Sequence, residues 1–147
     1  MAPVPAADRV DARTVLLADD DDDFRVLLAE ALEDEGYAVI AVRSGAAVLG
    51  VLDATAKDRT RAPDLLVLDL LMPHMSGIEV LQRLRKSAEW ASLPVLVVTA
   101  VNDPMLPVRL DVPIAFKPDA QTILTAVRQQ FADRPVKARG RAQSRSP

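Results

Sequence analysis

Short, wholly apolar runs alternate along this chain with longer segments whose apolar residues recur at helical spacing. Val15, Leu16, Leu17 and Ala18 form the first run, Leu65, Leu66, Val67 and Leu68 the second, and Val95, Leu96, Val97 and Val98 the third. A shorter one, Ile114, Ala115 and Phe116, follows. Runs of this length without polar alternation predict strands buried on both faces, as in a parallel sheet. Between them, Phe24, Leu27, Leu28, Ala31 and Leu32 mark a helix, with Gly36 as its C′ residue. Residues 37–42 predict a further strand. A helix over 45–56 is capped by Ser44 and carries Val48, Leu49, Val51 and Leu52 on its apolar side. Beyond Gly77, Ile78, Val80, Leu81 and Leu84 predict a third helix, with Arg83, Arg85 and Lys86 at its exposed end. After Asp119, a last one carries Ile123, Leu124, Val127 and Phe131. Strands alternating with helices imply an α/β fold, a doubly wound parallel sheet.

The polar residues that end the runs supply the candidate chemistry. The first run discharges into Asp19 and Asp20, the second into Asp69, the third into Thr99, and the fourth into Lys117 followed by Pro118. In parallel strands of one sheet these groups converge beyond the carboxyl edge, where open α/β sheets bind ligands. Clustered carboxylates suit a hard divalent cation, while a hydroxyl and a movable ammonium suit phosphoryl oxygens. Each residue has a plainer reading alone: Asp69 as a turn residue, Thr99 as a strand end, Lys117 as a surface charge. The joint pattern is far more specific than any member. Asp22 and Asp23 fit a solvated helix N-terminus, favoured by the helix dipole. An EF-hand calcium loop does not fit, because its glycine and terminal glutamate are missing.

The chain has 147 residues, room for one domain with a sizeable core. Half of them are apolar but only 3% aromatic, so Leu, Val, Ile and Ala must fill that core. The absence of cysteine removes disulfides, thiolate metal sites and thiol nucleophiles. No apolar run approaches the roughly 20 residues of a membrane span, and no basic-then-apolar export signal opens the chain, so a cytoplasmic location is expected. A net charge of −3 argues against generic nucleic-acid binding. Trp90 is read as covering an edge of the core, and His74, the only histidine, as a loop residue without a catalytic role. Residues 1–12 form a lead-in containing Pro3 and Pro5, 13–131 the domain, and 132–147 a tail with Arg134, Lys137, Arg139, Arg141 and Arg145. That tail cannot build a core and is expected to be disordered. It either solubilises the chain or touches nucleic acid or an acidic partner.

From Val15 to Asp21, at Arg25, across Asp64 to Asp69, at Met72, Pro73 and Gly77, across Pro94 to Ala100, and at Lys117 and Pro118, the sequence resembles the receiver domains of two-component response regulators. The resemblance extends over about residues 14–131. It implies a flavodoxin-like sheet of five strands in the order 2-1-3-4-5. It further implies that Asp69 accepts a phosphoryl group from a phosphohistidine on a histidine kinase or histidine phosphotransfer protein. Asp19, Asp20, Asp69 and the backbone carbonyl of Leu71 would hold Mg2+, Thr99 and Lys117 would engage the phosphoryl oxygens, and the Lys117–Pro118 bond would be cis.

Two departures concern output. The aromatic residue that the family usually carries three positions before the lysine is Ile114 here. The connection from Thr99 to Lys117 is short for the family and contains Pro104, Pro107 and Pro113, so its helix, the fourth of the family, is expected to be shortened or irregular. The leading reading is a stand-alone receiver, a phosphorylation-controlled binding module and not an enzyme beyond its own phosphorylation and dephosphorylation. It would relay the signal to a downstream protein target. One alternative is a pseudo-receiver that docks constitutively. Another is an aspartyl-nucleophile phosphatase, against which Leu71 stands where a second acid would be needed.

Overall fold

The computed structural model describes residues 12–100 and 111–132. Along the chain run β1 (Thr14–Ala18), α1 (Asp22–Asp34), β2 (Ala38–Val42), α2 (Gly45–Thr55), β3 (Leu65–Asp69), α3 (Gly77–Arg85), β4 (Val95–Thr99), β5 (Ile114–Phe116) and α4 (Ala120–Ala132). The sheet has five parallel strands in the order β2-β1-β3-β4-β5, the flavodoxin-like order expected.

Successive side chains of a strand point to opposite faces, and the two cores follow that period. Leu16, Ala18, Leu66, Leu68, Val95 and Val97 pack with Val48, Leu52, Val80 and Leu84 of α2 and α3. Val15, Leu17, Leu65, Val67, Leu96 and Val98 pack with Phe24, Leu28 and Leu32 of α1 and with Ile123, Leu124 and Val127 of α4. Both faces of the central strands are therefore buried, which is why those strands read as unbroken apolar runs.

Helix ends obey local chemistry. Asp21 caps α1 by accepting from the Phe24 N–H at 3.1 Å, and Asp22 and Asp23 occupy the first turn. The helix closes in a Schellman motif: the Gly36 N–H donates to the Glu33 carbonyl (2.9 Å) and the Tyr37 N–H to that of Leu32 (3.2 Å). Gly36 has φ 102°, a conformation that favours glycine. Ser44 caps α2 as expected. Ser76 caps α3 by accepting from the Glu79 N–H, a Ser-x-x-Glu spacing that sequence reading overlooked.

Several boundaries differ from expectation. β1 begins at Thr14, where Asp64 latches the strand: its carboxylate accepts from the Thr14 N–H and its own N–H donates to the Thr14 carbonyl. Tyr37 belongs to the α1 terminus and not to β2, and α2 ends at Thr55. The charged 57–62 loop contains a single 3-10 turn, Arg59–Arg61. Leu27, placed on the apolar side of α1, is 52% exposed, because the buried stripe follows Phe24, Leu28 and Leu32. α4 extends through Ala132, one residue past the expected domain end. Trp90 is buried as expected, with the Arg59 guanidinium 4.5 Å from its ring centroid. The segment expected to hold the shortened helix falls on 101–110, outside the described residues, as do the lead-in before Ala12 and the tail beyond Ala132.

Candidate functional site

Strand register decides which chain ends meet. Ala18 pairs with Leu68, so Asp19 and Asp69 emerge side by side from β1 and β3. Asp69 pairs with Val98 and Thr99 with Phe116, which brings Thr99 and Lys117 to the same edge. The Lys117 N–H donates to the Thr99 carbonyl at 2.9 Å, continuing the ladder past β5, and the Lys117–Pro118 bond is cis. β1 lies between β2 and β3, so the chain reverses its winding direction there and leaves a crevice at the switch point. Asp19, Asp69 and Thr99 are buried in it, and Asp20 is exposed at its mouth.

Lys117 is the internal counter-ion. Its Nζ lies 2.7 Å from Asp19 Oδ2 and 3.5 Å from Asp69 Oδ2, and also sits over the Phe24 ring, 5.0 Å from the centroid. Asp19 is fixed further by the Asp21 N–H, which donates to its Oδ1 at 2.9 Å. Arg25 donates to the Asp19 backbone carbonyl at 2.9 Å. The remaining acids of the run are occupied elsewhere: Asp21 caps α1, and Asp22 ion-pairs with Arg43 and Arg25, each at 2.6 Å. Those hydrogen bonds, Arg43 first and then Arg25, hold the Asp22 carboxyl below its ordinary range. The run therefore divides into Asp19 and Asp20, which serve the crevice, and Asp21 to Asp23, which serve the helix.

Burial and then the Asp19 charge push the Asp69 carboxyl up to about 7, against the lowering effects of Lys117 and the Leu71 N–H. That N–H donates to Asp69 Oδ1 at 3.3 Å. Burial alone pulls the Lys117 ammonium down, but its hydrogen bond to Asp19 and the charges of Asp19 and Asp69 outweigh this and raise it. Carboxylate oxygens of Asp19, Asp20 and Asp69 come within 4.8 Å of one another. Oxygen donors at that separation suit a divalent cation, which would relieve the repulsion that raises Asp69. The acidic cluster thus fits Mg2+ by donor type and by charge.

All the side chains named from the sequence for this site (Asp19, Asp20, Asp69, Thr99 and Lys117) are brought to one edge. Leu71 lies just beyond, with the residue 55% exposed. His74 is exposed in the same loop, with a positive φ of 70°. Sequence reading assigned no role to Arg25 and treated Phe24 only as core. Arg25 lies on α1 and Asp19 before it, so a spacing of six residues across the strand-to-helix turn does not reveal a bond to a backbone carbonyl.

The raised Asp69 carboxyl has a consequence for stability. A carboxyl whose folded pKa exceeds its unfolded value binds more protons in the native state, so stability falls as pH rises between about 4 and 7. In buffer free of divalent cations at neutral pH, Asp69→Asn is expected to stabilise the fold by about 1–2 kcal/mol, several degrees in Tm. The difference should shrink towards pH 4, and thermal melts of both proteins across that range test it. An equal difference at both pH values would contradict the assignment.

A family model described as the response regulator receiver domain matches residues 15–125. The transcriptional regulatory protein AfsQ1 of Streptomyces coelicolor is 37% identical over 90 residues, covering 61% of this chain and 36% of that protein. The response regulator MprA of Mycobacterium avium is 41% identical over 86 residues, 58% of this chain and 34% of that protein. The chain thus spans about a third of the length of the curated relatives it matches. Among solved structures, the signal receiver domain of a signal transduction histidine kinase from Syntrophus aciditrophicus superimposes with TM-score 0.71. The two are 25% identical, and the match covers 92% of this chain and 98% of the other. Among the described residues, no helix is long and apolar enough to cross a membrane.

Proposed function

The chain belongs to the response-regulator receiver family, and on that premise we propose that it is a phosphorylation-controlled signalling module with Asp69 as the phosphoryl acceptor. The donor is a phosphohistidine on a histidine kinase or histidine phosphotransfer protein. An Asp69 carboxylate oxygen attacks phosphorus in line, a P–O bond forms, and the electron pair of the breaking P–N bond returns to the imidazole. Charge collects on the three equatorial oxygens, so catalysis is mainly positioning and neutralisation. Asp19, Asp20, Asp69 and the Leu71 carbonyl would hold Mg2+, which would supply part of that neutralisation. Lys117 supplies the rest from one side, and the Thr99 hydroxyl engages a phosphoryl oxygen from the neighbouring strand. Signal then passes to a downstream partner through changed binding.

The observation that carries this reading is the meeting of Asp69 with Asp19, Asp20 and Lys117 at one crevice. Incubation with acetyl phosphate and Mg2+, followed by intact-mass measurement, tests it. The wild type should gain one phosphoryl group that is labile to base, and Asp69→Asn should gain none. Equal labelling of both proteins would remove Asp69 from the role. The constitutive docking alternative draws on Ile114, half-buried where the family usually places an aromatic residue. A partner that binds with the same affinity before and after labelling would favour it.

The aspartyl phosphate is expected to be long-lived. Its hydrolysis needs a water in line with phosphorus, and resemblance to the family assigns that approach to Leu71 and to Val101, the latter outside the described residues. Both are apolar, so neither orients a water. Lost positioning of this kind is worth roughly 1–2 kcal/mol, about tenfold in rate. Decay should therefore accelerate about tenfold in a Leu71→Asn, Val101→Glu double variant, and unchanged decay would contradict this account.

A further inference from the structure

Lys117 is held among several carboxylates. Its ammonium is a point charge on a flexible stem, and directly after Asp19 comes an unbroken acidic run from Asp20 to Asp23, all of it exposed. Asp19 and Asp69 hold the ammonium in the free protein. Both carboxylates are called on when the site takes up a cation and a phosphoryl group, and the ammonium must then stay in place to meet the phosphoryl oxygens. Phe24 stands on the remaining side. It is anchored as part of the core beneath α1, its residue 8% exposed, and its backbone N–H is fixed by the Asp21 cap. Lys117 Nζ lies over its ring 5.0 Å from the centroid, within the range of an attraction to the ring face.

We propose that Phe24 is a positioning residue for Lys117, its ring holding the ammonium beside Asp69 and away from the exposed Asp20 at the crevice mouth. A ring serves this purpose better than a carboxylate, because it attracts the cation without cancelling its charge, which stays available to phosphoryl oxygens. An aliphatic residue would fill the same core space and leave the ammonium free to swing towards Asp20, the exposed acid at the mouth of the crevice. The part of this inference that concerns rate rests on the reading of Asp69 as phosphoryl acceptor, whereas the contact itself does not.

Phe24→Leu keeps an apolar residue and removes the ring; Phe24→Tyr keeps both. In the unphosphorylated proteins, NMR should show the Lys117 ε-methylene protons shifted upfield by the ring in wild type and Phe24→Tyr. In Phe24→Leu they should return to ordinary positions. Labelling by acetyl phosphate and Mg2+ should slow about three- to fivefold in Phe24→Leu and recover in Phe24→Tyr, all proteins being compared well below their melting temperatures. Unshifted lysine protons in the wild type would overturn the inference. So would wild-type labelling in Phe24→Leu, or equal slowing in both variants. Should the wild type itself fail to label, the acceptor reading falls, and the lysine proton shifts still decide whether Phe24 holds Lys117.

Discussion

Replacing Asp19 and Asp20 together with asparagine is expected to lower Mg2+-dependent phosphorylation of Asp69 by about 10²–10³-fold while leaving the fold in place. Asparagine preserves the shape of each side chain and can still accept the Asp21 N–H that Asp19 accepts now. What it removes is charge. The three carboxylates bring oxygens within 4.8 Å of one another. At about 4 Å two unit charges interact by roughly 4 kcal/mol at an effective dielectric near 20, so the mutual repulsion of the carboxylates is of that order, and a divalent ion seated among them would be attracted by more. Most of this is spent on desolvation, which is why the expected loss is set at the level known for a removed electrostatic partner and not at the full Coulomb sum. A titration with Mg2+ separates binding from chemistry. Amide shifts at positions 19, 20 and 69 should move at millimolar Mg2+ in the wild type and stay still in the variant. The loss of Asp19 also takes away the negative charge that raises Asp69 most and the closer carboxylate partner of Lys117. In the variant, Asp69 should therefore titrate lower than in the wild type. Wild-type labelling rates with the same Mg2+ dependence in the double variant would refute the carboxylate cluster as the cation site.

Gly77→Ala is expected to destabilise the domain by about 2–3 kcal/mol and to slow labelling at Asp69 as well. Gly77 opens α3 at the point where the helix touches the end of β3, its N–H donating to the Leu70 carbonyl at 2.8 Å. A Cβ there would overlap the Asp69 carbonyl oxygen and lie 2.8 Å from Leu70 Cα. Both obstacles are backbone atoms of the strand end that presents the acceptor, so neither can rotate aside. Either α3 is lifted from its core of Val80 and Leu84, or Asp69 is displaced. Gly50→Ala is the matched control. Nothing lies within 4 Å of a Cβ at that position, and the exposed helical site should gain about 0.5–1 kcal/mol from alanine's better propensity. Gly45→Ala should fall between the two. Its Cβ would meet Val80 and Met75 side chains, at 2.7 and 3.0 Å, which can adjust in part. Thermal melts of the three variants give the order directly, and a Gly77→Ala protein as stable as Gly50→Ala would remove the steric account.

The relation between fold and site explains why one was so legible. Val15 to Ala18, Leu65 to Leu68 and Val95 to Val98 could only be strands covered on both sides, and that demand alone selects helices on both faces of a parallel sheet. Parallel strands place their carboxyl ends on one edge, so the residues after each run had to meet. Asp19, Asp69, Thr99 and Lys117 were assigned from this topology and from resemblance to the receiver family, without any distance being known. The cap at Ser44 and the turn at Gly36 were legible too, because they depend on neighbours within a few positions, whereas the cap at Asp21 was read only as part of the acidic helix start.

Tertiary structure decided whatever depends on direction and on distant partners. Lys117 lies closer to Asp19 than to Asp69, at 2.7 against 3.5 Å, a choice set by strand register and ammonium placement. Five consecutive aspartates look alike in sequence, yet burial, an N-cap and two arginines divide them among separate tasks. The rise of the Asp69 carboxyl to about 7 follows from enclosure and from the Asp19 charge, and neither can be read along one strand. Phe24 carried only an apolar label until the fold set its ring against Lys117, which lies far along the chain on β5's end. Hydrophobic periodicity reports which side of an element is covered. It does not report what the covered side chain touches, because that depends on how two elements, distant in sequence, are turned towards each other.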